Sequence, residues 1–295
     1  MESIGVSSPE WLGDSAATAI LTFPLDGETP ILAAGRRYAE HAMLMSHQEF
    51  ESQVGLPRVL RLLSEYDIPA TFFVPGYAAE RCPGMVDAVL SAGHEVAHHS
   101  YSHRQPTQLS EADDRMEFER GLEALGRHGV VPSGYRAPMW SASWRTAGLV
   151  AEYGMSYDSS LMNDDRPYVI TTESGDIAEL PPHWSLDDWE QYAYLPEPHV
   201  GFNINSPAAV SEMWINELEA MRKHKCLFLL TAHVFLSGRA GRVEGLRNVI
   251  ERALEFGDVK FKTANDVAQA VLADPSSVRR KQEPVEVDSA VFPNW

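Results

Sequence analysis

The sequence predicts an α/β fold built around a parallel sheet or barrel. Short apolar, β-prone runs alternate with segments whose apolar residues recur at three- and four-residue spacing, which is the order of repeated βα units. The chain has 295 residues, a length that fits two average domains or one α/β barrel. The regular alternation favours one large domain.

Eight runs are predicted as strands because each is apolar, β-prone and followed by polar or turn-forming residues. They cover residues 19–23, 70–74, 94–98, 134–138, 156–160, 177–181, 227–234 and 259–263. Helical spacing is clearest over 57–66, 83–93, 111–129 and 207–224. Gly93, Gly129 and Gly154 follow helical segments at positions where a left-handed cap is expected.

Residues 1–273 are predicted to form the single domain and residues 274–295 a carboxy-terminal tail. The tail sequence carries charge and proline without any period. The segments 28–53 and 187–205 are longer than ordinary connections, and we expect them to cover a substrate.

Composition excludes several classes of partner. Asp and Glu number 42 against 24 Lys and Arg, and the formal net charge of −18 opposes binding to nucleic acids or anionic membrane surfaces. No apolar run is long enough for a membrane span, and the amino terminus has no basic region followed by an apolar core. The two cysteines, Cys82 and Cys226, are far apart in the sequence, which favours reduced thiols over a disulfide. A cytoplasmic protein with a small-molecule substrate is expected.

The most informative motif is HEVAHHSYSH, residues 94–103. His99 and His103 are four residues apart directly after an apolar run, and neutral imidazoles at this spacing can converge on one divalent metal. The pair alone is weak evidence, because histidines at this spacing also occur on solvated helix faces.

Other polar residues follow the remaining strand runs. Ligands in parallel α/β folds bind beyond the carboxyl ends of the strands, so these side chains are expected to converge with the two histidines. They are Asp26, Glu28, Arg136, Trp184, Asp187, Asp188 and His233.

Five segments, TFPLDGE, GHEVAHHSYSH, GYRAPMW, ELPPHWSLDDW and LLTAHV, resemble the successive motifs of the polysaccharide deacetylase superfamily. The resemblance runs from about Thr18 to about Leu272. It implies a distorted (β/α) barrel with roughly seven parallel strands. It also implies one divalent metal ion, often zinc, held by Asp26, His99 and His103 for amide hydrolysis.

The same resemblance implies roles for residues around this metal. His233 resembles the family's general acid, and Arg136 resembles the arginine that holds the base or orients the site. Trp140 and Trp184 are similar to pocket walls. For the acidic pair Asp187 and Asp188, two interpretations stay open: one member braces His233, or the pair caps the next turn.

The first motif departs from ordinary members, which carry two adjacent aspartates where this chain has Leu25 and Asp26. Leu25 cannot act as a base. The pattern is similar to a divergent branch with cyclic imide hydrolases, allantoinases and intracellular peptidoglycan deacetylase-like proteins. Glu28 is the candidate base, because alternate residues of an extended strand point to one side and would place it beside Asp26.

Three functions follow from the resemblance. The first is metal-dependent hydrolysis of a small cyclic imide or related amide, and the second is N-deacetylation of N-acetylated sugars in peptidoglycan or chitin-like oligosaccharides. The third is a non-catalytic, metal-free binding module, although Asp26, His99 and His103 are all present. Homo-oligomers are expected, since large interfaces are common in this branch.

Overall fold

The computed structural model describes residues 10–292, and most of them belong to one curved sheet with surrounding helices. The first nine residues of the amino terminus and the last three of the predicted tail lie outside the described residues. The strands are β1 (Ala17–Pro24), β2 (Thr71–Val74), β3 (Glu95–His98), β4 (Gly134–Tyr135), β5 (Tyr157–Asp158), β6 (Tyr168–Thr172), β7 (Gly175–Glu179), β8 (Tyr194–Leu195), β9 (Val200–Phe202), β10 (Leu227–Thr231), β11 (Val259–Phe261) and β12 (Arg279–Arg280).

Twelve α-helices connect these strands within the described part of the chain. They are α1 (Thr29–Ala34), α2 (Ala42–Phe50), α3 (Leu56–Glu65), α4 (Gly76–Arg81), α5 (Pro83–Ser91), α6 (Glu111–Gly126), α7 (Thr146–Glu152), α8 (Trp189–Tyr192), α9 (Pro207–His224), α10 (Val234–Ser237), α11 (Ala240–Phe256) and α12 (Ala264–Ala273). All four helices predicted from apolar spacing are present.

The α/β fold class is confirmed. The sheet order is β10-β1-β2-β3-β4-β5-β7-β6-β12, and β11 pairs with the start of β1. Each of the eight predicted runs contains a strand, and these strands all run parallel to one another. A parallel bridge between Asp187 and Thr231 brings the segment after β7 against the end of β10, so the sheet curls as a distorted barrel requires.

Strand β1 is buried along its whole length, because β10 and β2 flank it and apolar layers cover both of its faces. Leu21 and Phe23 pack into one apolar cluster with α3, α9 and α11. Ile20 points to the opposite face and packs with Phe73 and residues of α12. This alternation is that of a strand with two buried faces.

The expectation of a tail from residue 274 is wrong in part. Residues Arg279–Arg280 form β12, which pairs with β6, and their guanidinium groups pair with Asp176 and Asp164. A two-residue strand is too short to show an apolar period in the sequence. Its hydrogen bonds come from the main chain of β6. The ordered domain therefore continues past residue 273.

The composition predicts reduced cysteines and no membrane-spanning helix. Cys82 and Cys226 are both free thiols. Among the described residues, we find no helix with the length and apolar character needed to cross a bilayer.

Candidate active site

The first motif forms a tight turn at the carboxyl end of β1. The strand ends at Pro24, Gly27 takes a left-handed φ of +55°, and the Thr29 amide donates to the Asp26 carbonyl at 3.1 Å. The turn buries Asp26 to 1% exposure. α1 then begins directly after Glu28.

The expectation that Glu28 faces the same pocket as Asp26 is wrong. That expectation required an extended strand through both residues, and the turn at Gly27 reverses the chain between them. The Glu28 carboxylate instead accepts from Arg81 Nε at 2.9 Å and borders a separate cavity with Gln48.

His99 and His103 converge on Asp26 as the resemblance implies. His99 Nε2 lies 3.8 Å from Asp26 Oδ1, His103 Nε2 lies 4.0 Å from Asp26 Oδ2, and all three side chains are buried. His99 Nδ1 lies 2.6 Å from the Arg136 carbonyl oxygen, which accepts its proton and leaves the lone pair on Nε2. His103 sits at a left-handed φ of 61°, a conformation held only by its surroundings.

This cluster could hold a divalent cation. Two imidazole nitrogens and a carboxylate oxygen lie within 4.8 Å of one another, and among the described residues Asp26 Oδ1 has no hydrogen-bond partner. Burial lowers the pKa of both histidines, so they are neutral, as metal ligands must be. Burial also raises the pKa of the Asp26 carboxyl, and a cation would oppose that effect.

His233 and the acidic pair form a second cluster beside the first. Asp188 is fully buried, and its Oδ1 lies 2.8 Å from His233 Nδ1. Asp187 Oδ1 accepts from the Trp189 amide at 2.9 Å at the start of α8. Asp188 therefore lies directly against His233, and Asp187, whose Oδ1 is also 3.4 Å from His233 Nδ1, accepts at the start of the turn.

The two carboxylates decide the charge of His233. Burial alone would lower its pKa, but Asp187 and Asp188 outweigh burial and raise it well above the ordinary value. Because Nδ1 faces Asp188, Nε2 is the nitrogen left for the cavity that His233 lines.

Arg136 is buried behind both clusters. Its guanidinium donates to Thr22 Oγ1 at 3.0 Å and to Ser159 Oγ at 2.9 Å, and it stacks over the Phe73 ring at 4.0 Å. Burial lowers the pKa of Arg136 to about 10, and Asp187 is the strongest charge that opposes this effect. The guanidinium therefore stays charged at neutral pH.

The two clusters open into one small cavity of about 50 Å³. Trp140 and Trp184 line it as predicted, with ring centroids 4.7 Å apart, and Trp189 lines it too. Met139 and Trp140 both have left-handed φ values, 55° and 51°, and consecutive strained residues of this kind persist only when surrounding packing fixes them.

The arrangement matches a solved structure along nearly its full length. A crystal structure of a candidate polysaccharide deacetylase from Mycobacterium smegmatis is 40% identical, covers 95% of this chain and 99% of that chain, and superposes with a TM-score of 0.91. The chain belongs to the polysaccharide deacetylase family. The family model described as polysaccharide deacetylase matches residues 50–157.

Two further relatives of this deacetylase-family chain carry different names. A Helicobacter pylori protein named peptidoglycan deacetylase is 28% identical, with 76% of this chain and 85% of the relative covered. The crystal structure of Puue allantoinase is 23% identical, covers 91% of this chain and 94% of that chain, and has a TM-score of 0.78, which shows a shared fold. The chain is thus a deacetylase-family hydrolase of carbon–nitrogen bonds.

Two carboxyl groups of this family member were missed by sequence reasoning. Glu190 lines the cavity, and burial together with Asp187 raises its pKa to about 7. Its position three residues after Asp187, in the same acidic segment, was the available signal.

Glu51 is the second missed carboxyl group. It begins the π-helical turn Glu51–Gly55, and its Oε1 accepts from the Gly27 amide at 2.7 Å. Burial, and next the charge of Asp26, raise the pKa of Glu51 to about 8. No sequence pattern signals this contact, because it joins residues 24 positions apart through a π-turn.

The metal-binding residues can be tested one at a time. We expect the chain, purified without chelator, to carry about one divalent ion, and Asp26→Asn, His99→Ala and His103→Ala each to lose it, because a three-ligand site has no spare ligand. Metal content is measured by plasma mass spectrometry and folding by circular dichroism. His94→Ala, a neighbouring histidine outside the cluster, is the control. A folded His103→Ala protein with its full metal content contradicts the assignment.

Proposed function

We propose that this chain is a metal-dependent hydrolase that opens a small cyclic imide or a related amide. The substrate size is inferred from the volume of the cavity beside Asp26, His99 and His103. Its 50 Å³ is room for roughly three to five water molecules, about the size of one five- or six-membered ring. The tryptophan rings can stack on the flat face of such a ring. The Asp26 cluster would bind its carbonyl group and the His233 cluster its nitrogen.

Asp26, His99 and His103 would hold the metal ion, and zinc fits two imidazoles and a carboxylate. When bound, such an ion polarises the scissile carbonyl group and makes a water acidic at neutral pH. The Arg136 carbonyl keeps Nε2 of His99 turned toward this position.

The chain's own residues supply both proton transfers. Asp187 lines the cavity beside Arg136, so Asp187 accepts the proton of the attacking water. Oxygen then bonds to the carbonyl carbon and the carbon–nitrogen bond breaks. His233, kept protonated by Asp187 and Asp188, gives its Nε2 proton to the departing nitrogen.

N-deacetylation of an N-acetylated sugar is the second candidate function. The relative named peptidoglycan deacetylase favours it, and the same cavity would take the acetyl group with the sugar outside. A non-catalytic binding module is disfavoured, because metal ligands, acid and base converge on one cavity. The homo-oligomeric state and cytoplasmic location stay predictions from the sequence.

Substrate class is tested by direct comparison. Succinimide and dihydrouracil should be opened by the purified chain, and opening should stop on chelation and return with zinc, because the carbonyl is then polarised again. Ring opening is followed by absorbance and product mass. N-acetylglucosamine oligomers are assayed in parallel for acetate. Acetate release without ring opening rejects the imide proposal in favour of the second candidate.

The base assignment is tested with a pair of isosteric variants. Asp187→Asn should lower kcat by roughly 10²–10⁴-fold, the usual contribution of a general base. Glu28→Gln should stay within a few-fold of wild type, because Glu28 faces Arg81 outside the cavity. Steady-state kinetics on succinimide measure both. A larger loss in Glu28→Gln than in Asp187→Asn returns the base role to Glu28.

The pH profile tests His233 as the acid. Activity that needs protonated His233 is present below its pKa and is lost as pH rises through it, and Asp187 and Asp188 together raise that pKa. Asp188→Asn should therefore move the basic limb of kcat/KM to lower pH. Ser237→Ala, which removes a neutral partner of Asp188, should move it much less. An unchanged basic limb in Asp188→Asn contradicts the assignment.

A further inference from the structure

We propose that the substrate carries an anionic group, such as a carboxylate, which Arg104 binds in a second cavity next to the metal cluster. This inference rests on the proposed function, because it places the charged group relative to an amide held at Asp26, His99 and His103. The second cavity has a volume of about 360 Å³. It is lined on one side by α1 and on the other by the segment after His103.

The two cavities adjoin each other. Four residues line both of them: Pro30, His103, Met139 and Trp189. One molecule can therefore place its amide in the inner cavity and extend a substituent past these residues into the outer one. The inner cavity, at about 50 Å³, is the smaller of the two.

The two cavities differ in their charged side chains. The inner one is lined by carboxyl groups, Asp26, Asp187 and Glu190, together with the cationic Arg136 and His233. Within the part of the chain that the structure describes, no Asp or Glu lines the outer cavity, where Arg104 is the cation. That is unusual on a chain of net charge −18. An anionic substituent is thus attracted to Arg104 in the outer cavity.

Arg104 is free to bind such a group. Its side chain is 46% exposed, and its ion pair with Glu117 Oε1 is long, at 3.9 Å. Glu117 does not depend on that pair, since it already accepts from the Ser102 amide and hydroxyl, each at 2.8 Å. A guanidinium with unused donors is suited to a carboxylate, which it can bind through two parallel hydrogen bonds.

The remaining lining fits the rest of the substituent. Gln108 Nε2 donates to Gln105 Oε1 at 3.1 Å, which leaves the Gln105 amide nitrogen as a further donor near Arg104. Ile31 and Ala34 of α1 give an apolar surface for a short hydrocarbon link. Arg104 directly follows His103 in the sequence, and both residues line the outer cavity. The substrate class is a small amide or imide with a carboxylate on a short arm.

The proposal is tested with two compounds of equal size. Hydantoin-5-acetate carries the carboxylate and hydantoin-5-acetamide is its neutral counterpart. Wild type should show a lower KM for the acetate, and Arg104→Gln should raise that KM at least tenfold with kcat within about twofold. The acetamide should be unaffected. Arg61→Gln, an exposed arginine of α3, is the matched control.

Binding without turnover separates this proposal from the function it rests on. Tryptophan fluorescence reports ligand entry, because Trp189 lines both cavities. If neither compound is hydrolysed but the acetate binds more tightly and Arg104→Gln removes the preference, the anion site stands and the imide function falls. If both are hydrolysed with equal KM, or Arg104→Gln weakens both equally, the anion site is rejected and the imide function stands.

Discussion

The buried guanidinium of Arg136 is the constraint on which the rest of the site depends. It is 1% exposed and donates to Thr22 on β1, Thr231 on β10 and Ser159 after β5. A buried charge of this kind is stable only when its donors are satisfied and its charge is balanced. Arg136 therefore joins β1, β10 and the segment after β5, and Asp26 and His233 follow the ends of the first two of these strands.

Balancing this charge explains an acidic pair on the neighbouring strands. Asp158 at the end of β5 and Glu179 at the end of β7 are both fully buried. Burial raises the pKa of Asp158 to about 6, and burial followed by the Asp158 charge raises that of Glu179 further. After Asp187, these two carboxyl groups are among the charges that oppose the effect of burial on the Arg136 pKa.

The strands and the metal cluster could be predicted from the sequence because both depend on local patterns. A buried parallel strand needs a β-prone apolar run, and residues that follow such runs meet at one edge of the sheet. Glu28 was misplaced because the argument continued β1 past Pro24, where Gly27 instead turns the chain. Glu51 could not have been predicted, since its contact with Gly27 depends on the packing of two helices that no spacing rule describes.

The π-helical turn Glu51–Gly55 makes two contacts next to the site, and both depend on the number of residues in the turn. Its first residue supports Gly27, and its last packs so closely on α10 that a Cβ at Gly55 would lie 2.7 Å from the Val234 carbonyl oxygen. Val234 directly follows His233. Loss of one residue here would restore an ordinary helical turn and rotate one of these contacts by about 100°. Homologues that keep both contacts must therefore conserve the number of residues from Glu51 to Gly55, even where residue types change, so an alignment gap at this turn marks a changed active site.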